Sequence, residues 1–91
     1  MTTRYARHPD LRLTALEGEG VALHLGTRRY YSVSESGLDL LEALTEPRTL
    51  EELVAVLTAK YAVTLAQATD SARAFVEHGV SAGVLVAEEV R

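Results

Sequence analysis

Gly26-Thr27-Arg28-Arg29-Tyr30-Tyr31-Ser32-Val33-Ser34-Glu35-Ser36-Gly37-Leu38-Asp39-Leu40-Leu41 decides the fold, because within it a strand rich in β-formers gives way to a helical spacing. Arg28 to Val33 reads as a strand. Ser34 or Ser36 reads as an N-cap, since a serine hydroxyl oxygen accepts from the free amides of a first helical turn. The helix that follows, Gly37 to Leu44, puts Leu38, Leu41 and Leu44 on one stripe with Asp39 and Glu42 facing away.

Upstream, the two-residue period runs back to Leu11. Leu11, Leu13 and Ala15 alternate with Arg12, Thr14 and Leu16 in a first strand. Glu17-Gly18-Glu19-Gly20 supplies a turn, and Val21, Leu23 and Leu25 alternate with Ala22 and His24 in a second strand. Gly26-Thr27 turns the chain into the third. Two short turns between neighbouring strands predict an antiparallel meander with the third strand at one edge. The first nine residues read as a loose N-terminus.

Downstream, Thr45-Glu46-Pro47-Arg48 ends the first helix, because the residue before proline is pushed out of the α region. Thr49-Leu50-Glu51-Glu52 is a capping box that opens a second helix to about Lys60, with Leu50, Leu53, Val54 and Leu57 inward and Tyr61 closing its end. Thr64-Leu65-Ala66-Gln67 repeats that logic for a third helix to about Ala82. Its stripe is Leu65, Ala68, Ala72, Phe75, Val76 and Gly79. Gly83 ends it, Val84-Leu85-Val86 is an apolar tail that packs back or adds a strand, and Glu88, Glu89 and Arg91 read as a frayed terminus. Three strands followed by three helices predict an α+β fold with the helices on one face of the sheet.

Composition narrows the function. A chain of 91 residues with 47% hydrophobic content buries one modest core, so residues 1–91 read as one domain with an ordered core of about Leu11 to Val86. Cysteine is absent, which suits a reducing cytoplasm. No run approaches the roughly 20 apolar residues that cross a bilayer, and no signal-peptide pattern opens the chain, so no membrane is expected. Thirteen acidic against nine basic residues give a net charge of −4, the wrong sign for a nucleic-acid binder. The last two helices form a helix-turn-helix-like corner, yet the third carries Arg73 against Asp70 and Glu77, so DNA reading ranks only as an alternative of another class.

Catalytic groups do not converge. His8, His24 and His78 lie in the N-terminus, the second strand and the third helix, and nothing places two of them together with a carboxylate or serine. No metal site, no phosphate-holding glycine loop and no cofactor is expected. His24 reads as a residue of the strand's solvent or second face.

The sheet edge remains. Arg28 and Arg29 are followed by Tyr30, Tyr31, Ser32 and Val33, a mixture that blocks self-pairing poorly and suits a visiting strand. The small residues Ala68, Ser71 and Ala72 of the third helix leave a groove beside that edge, with Phe75 as its apolar floor. From the residues alone a second arrangement stands equally: both tyrosines finish the core and the N-terminal segment covers the edge. An open edge and a small core also permit a homodimer by strand exchange.

The run Gly26 to Leu41 resembles a glycine turn, a strand, a leucine-asparagine-x-threonine/serine-glycine or alanine motif and a helix. Arg48-Thr49-Leu50-Glu51-Glu52-Leu53-Val54 and Ser81-Ala82-Gly83-Val84-Leu85-Val86 resemble the later landmarks of the same family. Together, over Leu11 to Val86, they resemble the PqqD-like proteins, recognition elements for ribosomally synthesised, post-translationally modified peptides. Val33-Ser34 stands where that family usually has leucine-asparagine; serine caps a helix as well as asparagine does.

The resemblance implies a winged helix-turn-helix, a three-stranded antiparallel sheet followed by three helices. It further implies that a precursor's leader peptide lies as an added strand against Arg28 to Val33, facing Ala68, Ser71, Ala72 and Phe75 of the third helix. The size and the Tyr-Tyr-Ser strand are similar to the stand-alone form that partners a separate leader peptidase in lasso peptide biosynthesis. Stand-alone partners of radical SAM peptide-modifying enzymes are the alternative. In both the small protein catalyses nothing and delivers a precursor to an enzyme.

Overall fold

The structure is a computed structural model that describes residues 2–17 and 19–90; Met1, Gly18, which the sequence assigns to a turn, and Arg91 lie outside the described residues. In chain order it contains β1 (Thr2–Arg7), β2 (Leu11–Leu16), β3 (Glu19–His24), β4 (Arg29–Ser34), α1 (Glu35–Ala43), β5 (Arg48–Thr49), α2 (Leu50–Lys60), α3 (Leu65–Ser81) and β6 (Leu85–Val90). The expected meander is the sheet β2-β3-β4, antiparallel throughout, and the three expected helices follow it.

A second antiparallel sheet, β5-β1-β6, corrects the reading of both termini. Thr2 to Arg7 are not loose and Glu88 and Glu89 are not frayed; Met1 and Arg91 lie outside the described residues. Thr2 to Arg7 pairs residue for residue with Val90 back to Leu85, Arg4 sits opposite Glu88, and the Thr3 hydroxyl donates to Glu89 Oε1 at 2.5 Å. His8 N extends the tie by donating to Val84 O at 2.9 Å. Cross-strand pairs of this kind stabilise a sheet although neither strand alone shows an apolar alternation.

The inner face of the meander is small along β3. On β3 it is Gly20, Ala22 and His24 that turn toward the helices, whereas Val21 and Leu23 are half-exposed on the outer face. The reason is distance: a Cβ on Gly20 would stand 2.8 Å from Leu38 Cδ1, so α1 packs this close only over a strand of small residues. Leu11 and Leu13 of β2 and Tyr31 and Val33 of β4 complete the inner face. Leu41 of α1, Leu53 of α2 and Leu85 of β6 are the largest fully buried side chains, so the core joins the helices to the second sheet.

The helix starts follow their caps. The Ser34 hydroxyl accepts from Gly37 N at 3.2 Å and α1 begins at Glu35. Thr49 with Glu52, and Thr64 with Gln67, form the two expected capping boxes. Gly83, at φ +77°, carries the chain out of α3 through the left-handed region that a side chain would oppose. Asp39 accepts from the Tyr61 hydroxyl at 2.5 Å and from Lys60 Nζ at 3.1 Å, which fastens α1 to the end of α2.

Candidate binding groove between β4 and α3

Four turn residues, Leu25 to Arg28, connect β3 to β4. Arg28 takes φ +61° and donates its amide to His24 O at 2.7 Å, so it belongs to the turn and the strand starts one residue later than the sequence suggests. From Arg29 onward β4 pairs with β3 alone among the described residues, in the register Ala22↔Tyr31 and Gly20↔Val33. An antiparallel strand bonded on one side turns the amides and carbonyls of alternate residues to its free edge. The N-terminal segment does not cover that edge, because β1 is held between β5 and β6.

Among the described residues β2 leaves the opposite edge of the same sheet unpaired as well, but the hollow at its start, bounded by Leu11 and Arg12, has about 250 Å³ against about 870 Å³ beside β4. The larger one is a groove between the inner side of β4 and one face of α3. At one end the Tyr31 hydroxyl donates to Ala82 O at 3.3 Å, tying the strand to the last turn of the helix. At the other, Val33 and Gly37 approach Phe75, with Tyr61, Val63 and Glu35 beyond. Such a volume with mostly apolar walls is ordinary for a site that takes side chains.

Tyr31, Ser32, Val33, Ala68, Ser71 and Phe75 line this groove together. Four other residues singled out from the sequence do not. Ala72 is 0% exposed and packs with Val76 into the core, because its position on α3 points under the sheet and not beside it. Tyr30 is 73% exposed on the outer face, one step out of phase with Tyr31 along the strand. Arg28 is in the turn, and Arg29 is exposed at the start of β4.

Sequence reasoning missed the groove's contributions from α1 and from the α2–α3 turn, chiefly Gly37, Leu40, Tyr61 and Val63. It also missed His78 and Ala82, which continue the spacing of Ser71 and Phe75 along α3 and were legible from the helical period. Tyr61 is held at the groove's end by its bond to Asp39. That bond raises the Tyr61 phenol to about 12 and, with Lys60, holds the Asp39 carboxyl below its ordinary range.

One polar cluster contradicts the expectation that no two histidines meet a carboxylate. His8, Asp10 and His24 bring ligand-type atoms within 4.8 Å of one another, and the two imidazoles lie 4.4 Å apart. They converge because the β1–β2 and β3–β4 turns lie at the same end of the molecule, where Leu25 N donates to Asp10 O at 2.9 Å. These are the residues that could approach a metal, but the Nδ1 lone pairs of both histidines are committed. His8 Nδ1 accepts from Asp10 N at 3.0 Å, and His24 Nδ1 accepts from Gly26 N and Thr27 N at 3.1 and 3.2 Å. A neutral imidazole has one acceptor nitrogen, so the proton sits on Nε2 of each ring and neither offers a free donor pair. The cluster caps two turns; of the solvent or second face expected for His24, the structure excludes the solvent, since His24 is 5% exposed and lies on the inner face with Ala22.

The fold has a solved counterpart. A chain described as "TbiB1 in Complex with the TbiA(beta) Leader Peptide" superposes with a TM-score of 0.78 at 24% sequence identity, over 88% of this chain and 93% of that one. No curated relative matches the sequence. The family model for coenzyme PQQ synthesis protein D (PqqD) matches residues 19–85, from the first residue of β3 to the first residue of β6, and the chain belongs to that family.

Proposed function

We propose that this protein captures the leader segment of a ribosomally made precursor peptide as an added strand on β4 and presents it to a processing enzyme. The observation that carries the reading is the one-sided pairing of β4 directly above an apolar groove. Main-chain bonds to the free edge supply affinity for any extended peptide, and alternate side chains entering the groove between Val33, Ser71 and Phe75 supply selectivity. The structural likeness to a chain solved with a leader peptide, together with family membership, supports the same occupant.

The protein acts by binding and alters no covalent bond of its ligand. Holding the leader leaves the remainder of the precursor tethered, which raises its concentration at the enzyme's active site. The processing partner is a leader peptidase of a lasso peptide pathway, in the cytoplasm, a choice that rests on the size of the chain and on Tyr30-Tyr31-Ser32. The test is fluorescence polarisation with the leader encoded by a neighbouring precursor gene. Micromolar or tighter binding, lost when alternate backbone amides of the leader are methylated, is the expected result. Absence of binding to any such leader, or indifference to methylation, would remove strand addition as the mechanism.

A further inference from the structure

We infer that charge at the two ends of β4 selects the composition of the captured segment, which places acidic residues abreast of Arg28 and Arg29 and a basic residue abreast of Glu35. This rests on the capture reading above and adds what the groove itself cannot provide. A backbone ladder forms with a strand of either direction, and apolar walls do not distinguish a peptide's two ends. Something polar has to do so.

The cations stand at one end of the edge. Arg28 occupies the turn and Arg29 the first position of β4, both exposed, and among the described residues neither is in an ion pair. A carboxylate stands at the other end. Glu35 follows Ser34 in the chain and lines the groove, and among the described residues it has no cationic partner. Asp39 and Lys60, nearby, already satisfy each other.

Five steps of strand separate Arg29 from Ser34, about 16 Å at the usual rise. That exceeds the screening length of about 8 Å at physiological salt, so each end reads the peptide abreast of it independently of the other. The chain's net charge of −4 repels acidic peptides in general, which makes Arg28 and Arg29 the place where one is tolerated. Every strand pair among the described residues is antiparallel, and a leader added in that sense leaves past the Arg28–Arg29 turn.

The probes are fluorescein-labelled synthetic peptides that share one alternating apolar centre and differ only in their ends: lysine first and glutamate last, the reverse, or uncharged at both. At low salt the lysine-first probe binds about tenfold tighter than its reverse, the sum of several exposed charge contacts. The gap closes in molar salt, and Arg28→Glu/Arg29→Glu abolishes the preference; Glu35→Gln, which leaves the arginine turn untouched, narrows it. Circular dichroism checks that each variant is folded. Equal binding of the two charged probes overturns the charge selection and leaves capture standing. Failure of all three probes to bind removes capture, and this inference with it.

Discussion

Ser71→Trp separates binding from folding better than any truncation in the groove. Ser71 is exposed, lies on the face of α3 turned to β4, and has Phe75 one turn further along the helix. An indole brings roughly 150–250 Å² of surface to a position where serine brings almost none, and it occupies the space above Phe75 that a peptide side chain would use. Excluding one such side chain forfeits about 1.5–3 kcal/mol of burial, which is roughly 10- to 150-fold in affinity. Stability stays within about 0.5 kcal/mol, since no buried contact is disturbed. The matched control is Ser81→Trp, the same change at an exposed residue of the same helix outside the groove. Polarisation titrations give the affinities and urea unfolding gives the stabilities. Unaltered leader affinity in a folded Ser71→Trp protein, or an equal loss in both variants, would refute the placement of peptide side chains between α3 and β4.

Three further outcomes are expected. Proline at Tyr31 and proline at Ser32 should fail in opposite ways, because neighbouring amides of an antiparallel strand point to opposite sides. One variant should unfold more easily, and the other should keep its stability while losing leader affinity by about tenfold or more; normal binding by both would exclude the edge. Raising the pH from 10 to about 12 should cost the native protein more stability than Tyr61→Phe, because a phenol raised from 10.0 to about 12 stabilises fully below its ordinary value and stops doing so as it ionises. Asp39, held low, acts in the other direction, its contribution present above 3.8 and lost as the pH falls through its folded value; denaturation midpoints of both proteins across pH would check the two arms, and parallel curves would count against the bond. His24→Ala should cost about 1–3 kcal/mol by leaving the amides of Gly26 and Thr27 without their acceptor, and a neutral urea midpoint would show that solvent replaces it.

The meander, the three helices and both capping boxes were legible because each rests on local chemistry: a period, a cap, a proline. The second sheet was not. Thr2 to Arg7 shows no apolar alternation, and its partner begins more than 75 residues away at Leu85, so its only sequence trace is the apolar Val84-Leu85-Val86 that marked the tail as a candidate strand. Which face of β3 turns inward was left open by the alternation for a related reason. Hydrophobicity favours Val21 and Leu23, but the approach of Leu38 to Gly20 is a tertiary fact that decides against them. At the site, the alternation of β4 sets Tyr30 and Tyr31 on opposite faces, but which of the two faces the groove depends on the side the helices occupy, so the sequence names both as binding residues. On α3 the error was one of angle: Ala68 serves groove and core at once, and Ala72, one turn on, serves only the core.

The second sheet gives the open edge its physical explanation. Unpaired edges are a hazard that chains ordinarily blunt by laying a terminal segment across them. Here the N-terminal segment has six partners in β6 and two more in β5, and the C-terminal segment has the same six in β1, so each satisfies the other away from β4. Moving β1 onto β4 would exchange that full ladder for a single edge and leave the amides of β6 bare. The pairing of the two termini therefore keeps β4 free, and the groove beside it, about 870 Å³, offers side chains more room than the hollow of about 250 Å³ at the start of β2. A protein this small holds an edge in readiness by making its own candidates for it more stable elsewhere.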